Sequence, residues 1–245
     1  MENMVQIQAH RGASGIAPEN TLAAFREAVY VGADGIECDI HATKDGVYVV
    51  CHDGEIDRTS NGHGRIGEYT LEELRRFDFG GWKDPRFAGE QIPTLEEVLA
   101  VVKDLPVINI EVKDLRENTP EDLEAFYRIL EKKGVLRRVL ISSFQLEILE
   151  RLKRQYPILH TAYLYVDAAD TGAMDVAAAA GCSAVHPSHA NLTAELAARA
   201  HRLGMAVNTW TVDDPNRMQT LAGFGCDGLI TNRPEIARQV FGRPA

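Results

Sequence analysis

The stretch DGIECDIHATKDGVYVVCHD, residues 34–53, contains two strand-like runs, 34–42 and 47–51, joined by only Thr43-Lys44-Asp45-Gly46. Four residues make a turn. Parallel neighbours would need a crossover of roughly a dozen residues or more. The two runs therefore form an antiparallel hairpin. Its importance lies in the count. Strands are expected at 5–9, 34–40, 47–51, 106–112, 138–142, 160–164, 183–186, 206–210 and 227–230. Helices are expected at 20–31, 94–103, 119–133, 145–155, 171–180, 193–203, 214–223 and 234–241. Strand alternating with helix implies a parallel sheet covered by helices. Nine strands are one too many for a closed barrel of eight. Setting the returning strand 47–51 aside leaves eight strand–helix units, so the expected fold class is α/β, a TIM (β/α)8 barrel.

The helix expectations rest on apolar spacing and on start and stop signals. Thr94-Leu95-Glu96-Glu97 and Thr119-Pro120-Glu121-Asp122 each read as a cap followed by an acidic first turn, which suits the helix dipole. Gly32, Gly134, Gly181 and Gly204 stand where helices should stop. No Pro/Ser-rich linker divides the 245 residues, so one domain, 1–245, is expected. Residues 54–91 break the rhythm with seven glycines, a short helix signal at 70–77 and the aromatics Tyr69, Phe77, Phe79, Trp82 and Phe87. They read as an ordered insertion subdomain above the barrel mouth, between the hairpin and the second helix.

Composition excludes several classes. A net charge of -10 argues against a nucleic-acid partner and against a polybasic membrane surface. No apolar run is long enough to span a bilayer. Met1-Glu2-Asn3-Met4 lacks a basic leader segment, and a cleaved leader would remove the first strand. Cys38, Cys51, Cys182 and Cys226 make no CxxC pair and read as small buried hydrophobes. A soluble cytoplasmic protein without stable membrane association is expected.

The chemistry sits at the C-terminal ends of strands. His10 and Arg11 end the first, Glu37 and Asp39 lie in the second, His52 and Asp53 end the third, and Glu111 and Lys113 end the fourth. Acid/base groups, hard-cation ligands and fixed positive charge suit metal-assisted cleavage of a phosphodiester. The hairpin brings these residues together. A two-residue loop sets His52 opposite Asp39, and a four-residue loop sets it opposite Glu37. Opposite residues share a face, as do residues two apart, so either register gathers all three.

The runs HRGASGIAPENT, GIECDIHATKDGVYVVCHD, DRTSNGHGRIGEYTLEEL, INIEVK, SSF and NTWTVDD resemble the glycerophosphodiester phosphodiesterase family, in its cytoplasmic bacterial form, over nearly the whole chain. Each run alone is weak, but their order and spacing together are specific. The resemblance implies a metal-dependent TIM-barrel enzyme that hydrolyses a small glycerophosphodiester substrate to an alcohol and sn-glycerol 3-phosphate.

Residue by residue, His10 and His52 match the acid/base pair, and histidine suits that task because its pKa lies near neutrality. Glu37, Asp39 and Glu111 resemble the ligands of one divalent cation. An all-carboxylate set suits Mg2+ or Ca2+ rather than zinc. Arg11 and Lys113 match phosphate contacts, although both can also pair with the metal carboxylates. Phe144 and Trp210 match pocket-lining positions, with ordinary aromatic packing as the plainer role. Glu19 is placed to orient a histidine or Arg11. Asn20 is either a second such support or a cap for the first helix, with Thr21. The family often carries an acid where Asn232 stands. Two other readings remain: a lysophospholipase D-like lipid phosphodiesterase on the same barrel, and a phosphodiester-binding protein without catalysis. Oligomeric state is not legible.

Overall fold

The hairpin forms, and its loop has three residues. In the computed structural model, which describes residues 4–116 and 119–243, β2 (Gly35–Ala42) and β3 (Tyr48–Val50) pair Ile40 with Val50, His41 with Val49 and Ala42 with Tyr48. Thr43 N–H donates to Val47 O at 2.9 Å, leaving Lys44, Asp45 and Gly46 as the loop. Gly46 takes φ 80°, the left-handed position that a three-residue hairpin requires. The register therefore falls between the two expected from sequence and matches neither. Continued strictly, it would set His52 opposite Cys38, on the wrong face. The chain avoids this by leaving the ladder. β3 stops at Val50, Cys51 N–H donates to Asp39 O at 3.0 Å, and residues 52–54 bend away. His52 reaches Glu37 and Asp39 through that bend and not through strand pairing. Met1–Asn3, on which the expectation of no leader partly rested, lie outside the described residues.

The remaining strands are β1 (Gln6–His10), β4 (Val107–Val112), β5 (Val139–Ser143), β6 (His160–Tyr165), β7 (Ala184–Pro187), β8 (Ala206–Thr209) and β9 (Gly228–Thr231). Their neighbour order is β1-β9-β8-β7-β6-β5-β4-β2, and β1 pairs β2, so eight parallel strands close into a barrel with β3 added antiparallel on β2. Long helices fall at Leu22–Tyr30, Leu95–Val101, Pro120–Lys132, Leu146–Gln155, Thr171–Ala179, Ala194–Arg202, Pro215–Gly223 and Pro234–Val240. Thr94 with Glu97 and Thr119 with Asp122 form reciprocal capping boxes at two of their starts.

The main core lies between the strands and these helices. Phe25 and Phe126 are fully buried there, and truncating either to Ala should remove about 3–5 kcal/mol. A second, smaller cluster joins Val49 and Cys51 of the hairpin to Ile56, Ile66, Leu74, Phe79 and Ile92. Residues 54–91 thus pack on the outer face of β3, with Tyr69 and Phe77 edge-to-face at 5.7 Å. All four cysteines are buried thiols. Among the described residues no helix is long and apolar enough to cross a membrane.

Candidate active site

Register alone aligns the acidic residues. β1 sets His10 beside Glu37, and β4 sets Glu111 beside Asp39. Oxygen atoms of Glu37, Asp39 and Glu111 lie within 4.8 Å of one another, and all three residues are buried. His10, Arg11, Glu37, His52, Glu111, Lys113, Phe144 and Trp210 line one cavity at the C-terminal ends of the strands. Of the expected site residues, Asp39, Glu19 and Asn20 do not line that cavity, and Asp39 is buried against Glu37 and Glu111.

Backbone strain shapes the first loop. Arg11 and Asn20 have φ 55° and 58°, in the region that non-glycine residues rarely enter. A Cβ at Gly12 would meet Ala24 at 2.6–2.8 Å, so the HRG sequence needs its glycine for close packing on the first helix. The Arg11 N–H donates to Glu37 Oε2 at 3.0 Å, and its guanidinium reaches Glu19 Oε1 at 2.8 Å and Asp39 Oδ2 at 3.5 Å. Glu19 therefore meets Arg11, one of the two partners it was read to have. Asn20 does not cap the helix. Its left-handed backbone passes the cap to Thr21, whose side chain accepts from Ala24 N, and turns the Asn20 amide inward to donate to Asp39 Oδ2 at 2.8 Å. Lys113 pairs with Asp39 Oδ1 at 3.1 Å and with Glu111.

The carboxylates are unequal. Burial is the largest effect on each and favours the protonated form. It pushes Glu37 well up, helped by repulsion from Asp39 and Glu111. It pushes Glu111 up to about 7, with Asp39 adding to the rise. At Asp39, Lys113 and Arg11 overcome burial and hold the group far below the usual carboxylate range. With all three carboxylates ionised, as cation binding would require, they leave one negative charge against Arg11 and Lys113, and a phosphodiester would add another. One divalent cation balances both, and an all-oxygen donor set fits a hard ion. Glu37, Asp39 and Glu111 would hold it.

Each histidine is gripped at Nδ1. His10 Nδ1 donates to Asn232 Oδ1 at 2.6 Å. His52 Nδ1 donates to Asp53 Oδ1 at 2.6 Å. Burial, with Arg11 nearby, lowers His10 to about 4, and burial also lowers His52. Asp53 is steadied by Arg58 Nε at 2.6 Å, and the same guanidinium bridges to both Glu19 oxygens at 2.8 and 2.9 Å. From the other side, His41 donates Nδ1–H to Asp114 at 2.7 Å and Nε2–H to the His52 carbonyl at 3.2 Å. Both partners are acceptors, which favours the protonated ring. Burial, the largest effect, lowers its pKa, but Asp114 and the His52 carbonyl raise it overall.

Arg58, Asp114, His41, the role of Asn232, and Asp213, which accepts from the Asn232 amide at 2.7 Å, were missed in the sequence. Arg58, His41 and Asp213 stood inside the runs DRTSNG, GIECDIHATKDGVYVVCHD and NTWTVDD, but nothing local marked their partners, and Asp114 and Asn232 lie outside those runs. Phe144 and Trp210 meet edge-to-face at 5.7 Å in the cavity wall, and the Trp210 indole donates to His186 O at 2.7 Å. His186 is itself fully buried, accepting at Nε2 from the Asn208 amide, which is a structural role.

With this geometry in place, the comparisons are direct. The model of the glycerophosphoryl diester phosphodiesterase family matches residues 10–236. The chain is 39% identical over 231 residues to the glycerophosphodiester phosphodiesterase of Caldanaerobacter subterraneus subsp. tengcongensis, covering 93% of each. It superposes with a TM-score of 0.90 and 28% identity on an Oleispira antarctica phosphodiesterase in complex with the product sn-glycerol-3-phosphate, covering 97% of this chain and 96% of that one. An Agrobacterium tumefaciens glycerophosphodiester phosphodiesterase superposes with a TM-score of 0.85 and 28% identity, covering 96% and 100%. The chain therefore belongs to the glycerophosphoryl diester phosphodiesterase family, a family of phosphoric diester hydrolases.

Proposed function

We propose that this protein hydrolyses small glycerophosphodiesters to an alcohol and sn-glycerol 3-phosphate, with a divalent cation, Mg2+ or Ca2+, bound at Glu37, Asp39 and Glu111. The observation that carries this reading is the meeting of two oriented histidines with Glu37 and Glu111 in one cavity, Asp39 lying buried against both carboxylates. When bound, the cation supplies charge neutralisation at the phosphate and orientation of the substrate oxygens. Arg11 and Lys113 add fixed positive charge on the same wall, Arg11 as a planar fork held by Glu19 and Lys113 as a point charge. Phe144 and Trp210 flank the glycerol moiety.

His10 and His52 move the protons. One takes the proton of the glycerol hydroxyl next to the ester as that oxygen attacks phosphorus. The other protonates the departing alkoxide. A cyclic phosphate results, and water opens it with the two roles exchanged. The chain acts as a single barrel domain in which residues 54–91 form an inserted subdomain that supplies Arg58 to the His52 side of the mouth. The buried thiols and acidic charge support a cytoplasmic setting.

Turnover of glycerophosphocholine by the chelated protein, before and after Mg2+ or Ca2+ is added, tests the proposal. Release of choline and glycerol 3-phosphate only on metal addition is expected. No release under either metal sinks it. A preference for long-chain lysolipids over the deacylated diester would replace it with a lipid-cleaving reading.

A further inference from the structure

The wall behind His10 is built from residues that the reaction itself does not use. Asn232, just past β9, faces the His10 ring with its amide oxygen, and the Ser14 hydroxyl lies 2.9 Å from the same oxygen. On its other side the Asn232 Nδ2 donates to Asp213 Oδ2 at 2.7 Å. The backbone N–H of Asn232 donates to Asp213 Oδ1 at 2.8 Å, and the Thr231 hydroxyl donates to the same oxygen at 2.9 Å.

An ionised carboxylate only accepts hydrogen bonds. Asp213 therefore allows one orientation of the Asn232 amide. Reversing it would press two acceptor oxygens together at 2.7 Å. With its NH2 committed to Asp213, the amide can offer His10 only a carbonyl. A carbonyl facing Nδ1 requires the proton to sit there. In the neutral ring, Nε2 is then the bare nitrogen, and it points into the cavity, 3.9 Å from Glu37 Oε2. Without that grip a neutral imidazole could carry its proton on either nitrogen, and half of the reactive geometry would be lost.

We infer that Asp213 and Asn232 act as a positioning pair, in which the carboxylate fixes the amide and the amide fixes the Nδ1–H tautomer and orientation of His10. The inference rests on the proton-transfer role proposed above for His10.

The test uses Asp213→Asn, Asn232→Asp and the double variant in the full chain. Asn232→Asp sets two carboxylates face to face, and Asp213→Asn frees the Asn232 amide to reverse. Each single change is expected to lower kcat for glycerophosphocholine roughly 10–100-fold with KM nearly unchanged, the range for losing an orienting partner. The double variant exchanges the two groups. The new amide at 213 can donate to the new carboxylate at 232, which accepts from His10 Nδ1–H. The oxygen at 213 still serves the backbone of 232 and Thr231. Its kcat should recover above both singles.

Nitrogen-15 spectra of the His10 ring supply a readout independent of turnover. The unaltered protein and the double variant should show Nδ1–H, and Asp213→Asn should show a share of Nε2–H. Additive losses in the double variant, with the same His10 tautomer throughout, would reduce the pair to packing. An Nε2–H tautomer in the unaltered protein would overturn the inference whatever the variants do. Absence of turnover in the unaltered protein would strike the proposed function instead, and the ring spectra would still decide the pair.

Discussion

The two histidines face each other across one cavity, yet the molecule holds them by different means. His10 ends β1 and is 15% exposed, and its Nδ1 partner is a neutral amide anchored by Asp213 on the same barrel rim. His52 lies on a bend beyond β3 and is 32% exposed, and its Nδ1 partner is the carboxylate of Asp53. That carboxylate is steadied by Arg58, which comes from residues 54–91 and not from a barrel strand. The barrel thus places one histidine by strand geometry, whereas the other depends on a loop and on packing added to the barrel's edge. A rigid side and an adjustable side follow, and mutation should expose the difference.

The largest effect should be common to both sides. Chelation should abolish turnover and a divalent ion should restore it, because in the proposed reaction the ion held by the carboxylate cluster would serve the phosphate that both histidines address. Glu37→Gln, Asp39→Asn and Glu111→Gln should each weaken the ion's affinity, read by titration calorimetry as well as by activity. Full activity of ion-free protein would remove the shared centre from the comparison altogether.

His10→Ala and His52→Ala should come next, each lowering kcat by roughly 10²–10⁴-fold while the fold is retained. Equal losses would mean that both proton transfers matter alike, despite the different supports. Near-normal turnover in either variant would leave the reaction to the other side.

Arg58→Ala should separate the sides. It removes the grip on Asp53 and on Glu19 but touches nothing within reach of His10 Nδ1. A loss of roughly 10-fold in kcat is expected, with the His10 ring spectrum unchanged, since the cost is that of an orienting partner. A shift at His10 would show the two walls to be one unit.

The smallest effect belongs to Ile66→Val, in the lesser apolar cluster that backs β3. Urea unfolding should show a loss of about 0.5–1.5 kcal/mol, with little change in turnover. A separate early transition would mean that residues 54–91 loosen on their own, and would sharpen the contrast between the two sides.

Most strand and helix positions were legible because they are written in local periodicity and punctuation. The caps Thr94 and Thr119 and the stop at Gly32 act over a few residues, and the structure places helix ends within about two residues of the expected ones. The carboxylates of β2 and β4 were legible as strand-end acids, but their mutual distance depended on a register between segments some seventy residues apart. Asn20 shows the limit well. Its residue type suits a cap, and only its positive φ reveals that it faces Asp39 instead. The hairpin register failed for a similar reason. Thr43-Lys44-Asp45-Gly46 can close with two, three or four loop residues, and the choice lies in backbone angles that residue names do not specify.

The chain by its order of residues determined that a barrel would form, that one strand would fold back, and that two histidines, three carboxylates and two cations would gather at its mouth. Short-range steric and hydrogen-bonding preferences set the strands and the hairpin, and strand order puts those residues at one end of the barrel. Only the tertiary structure decided what holds those groups. His10 relies on Asn232, 222 residues away, and His52 relies on a bend that a strict ladder would not have made. Such partners meet only when the barrel closes β1 on β9, and an orientation settled by closure leaves no mark in the neighbouring sequence.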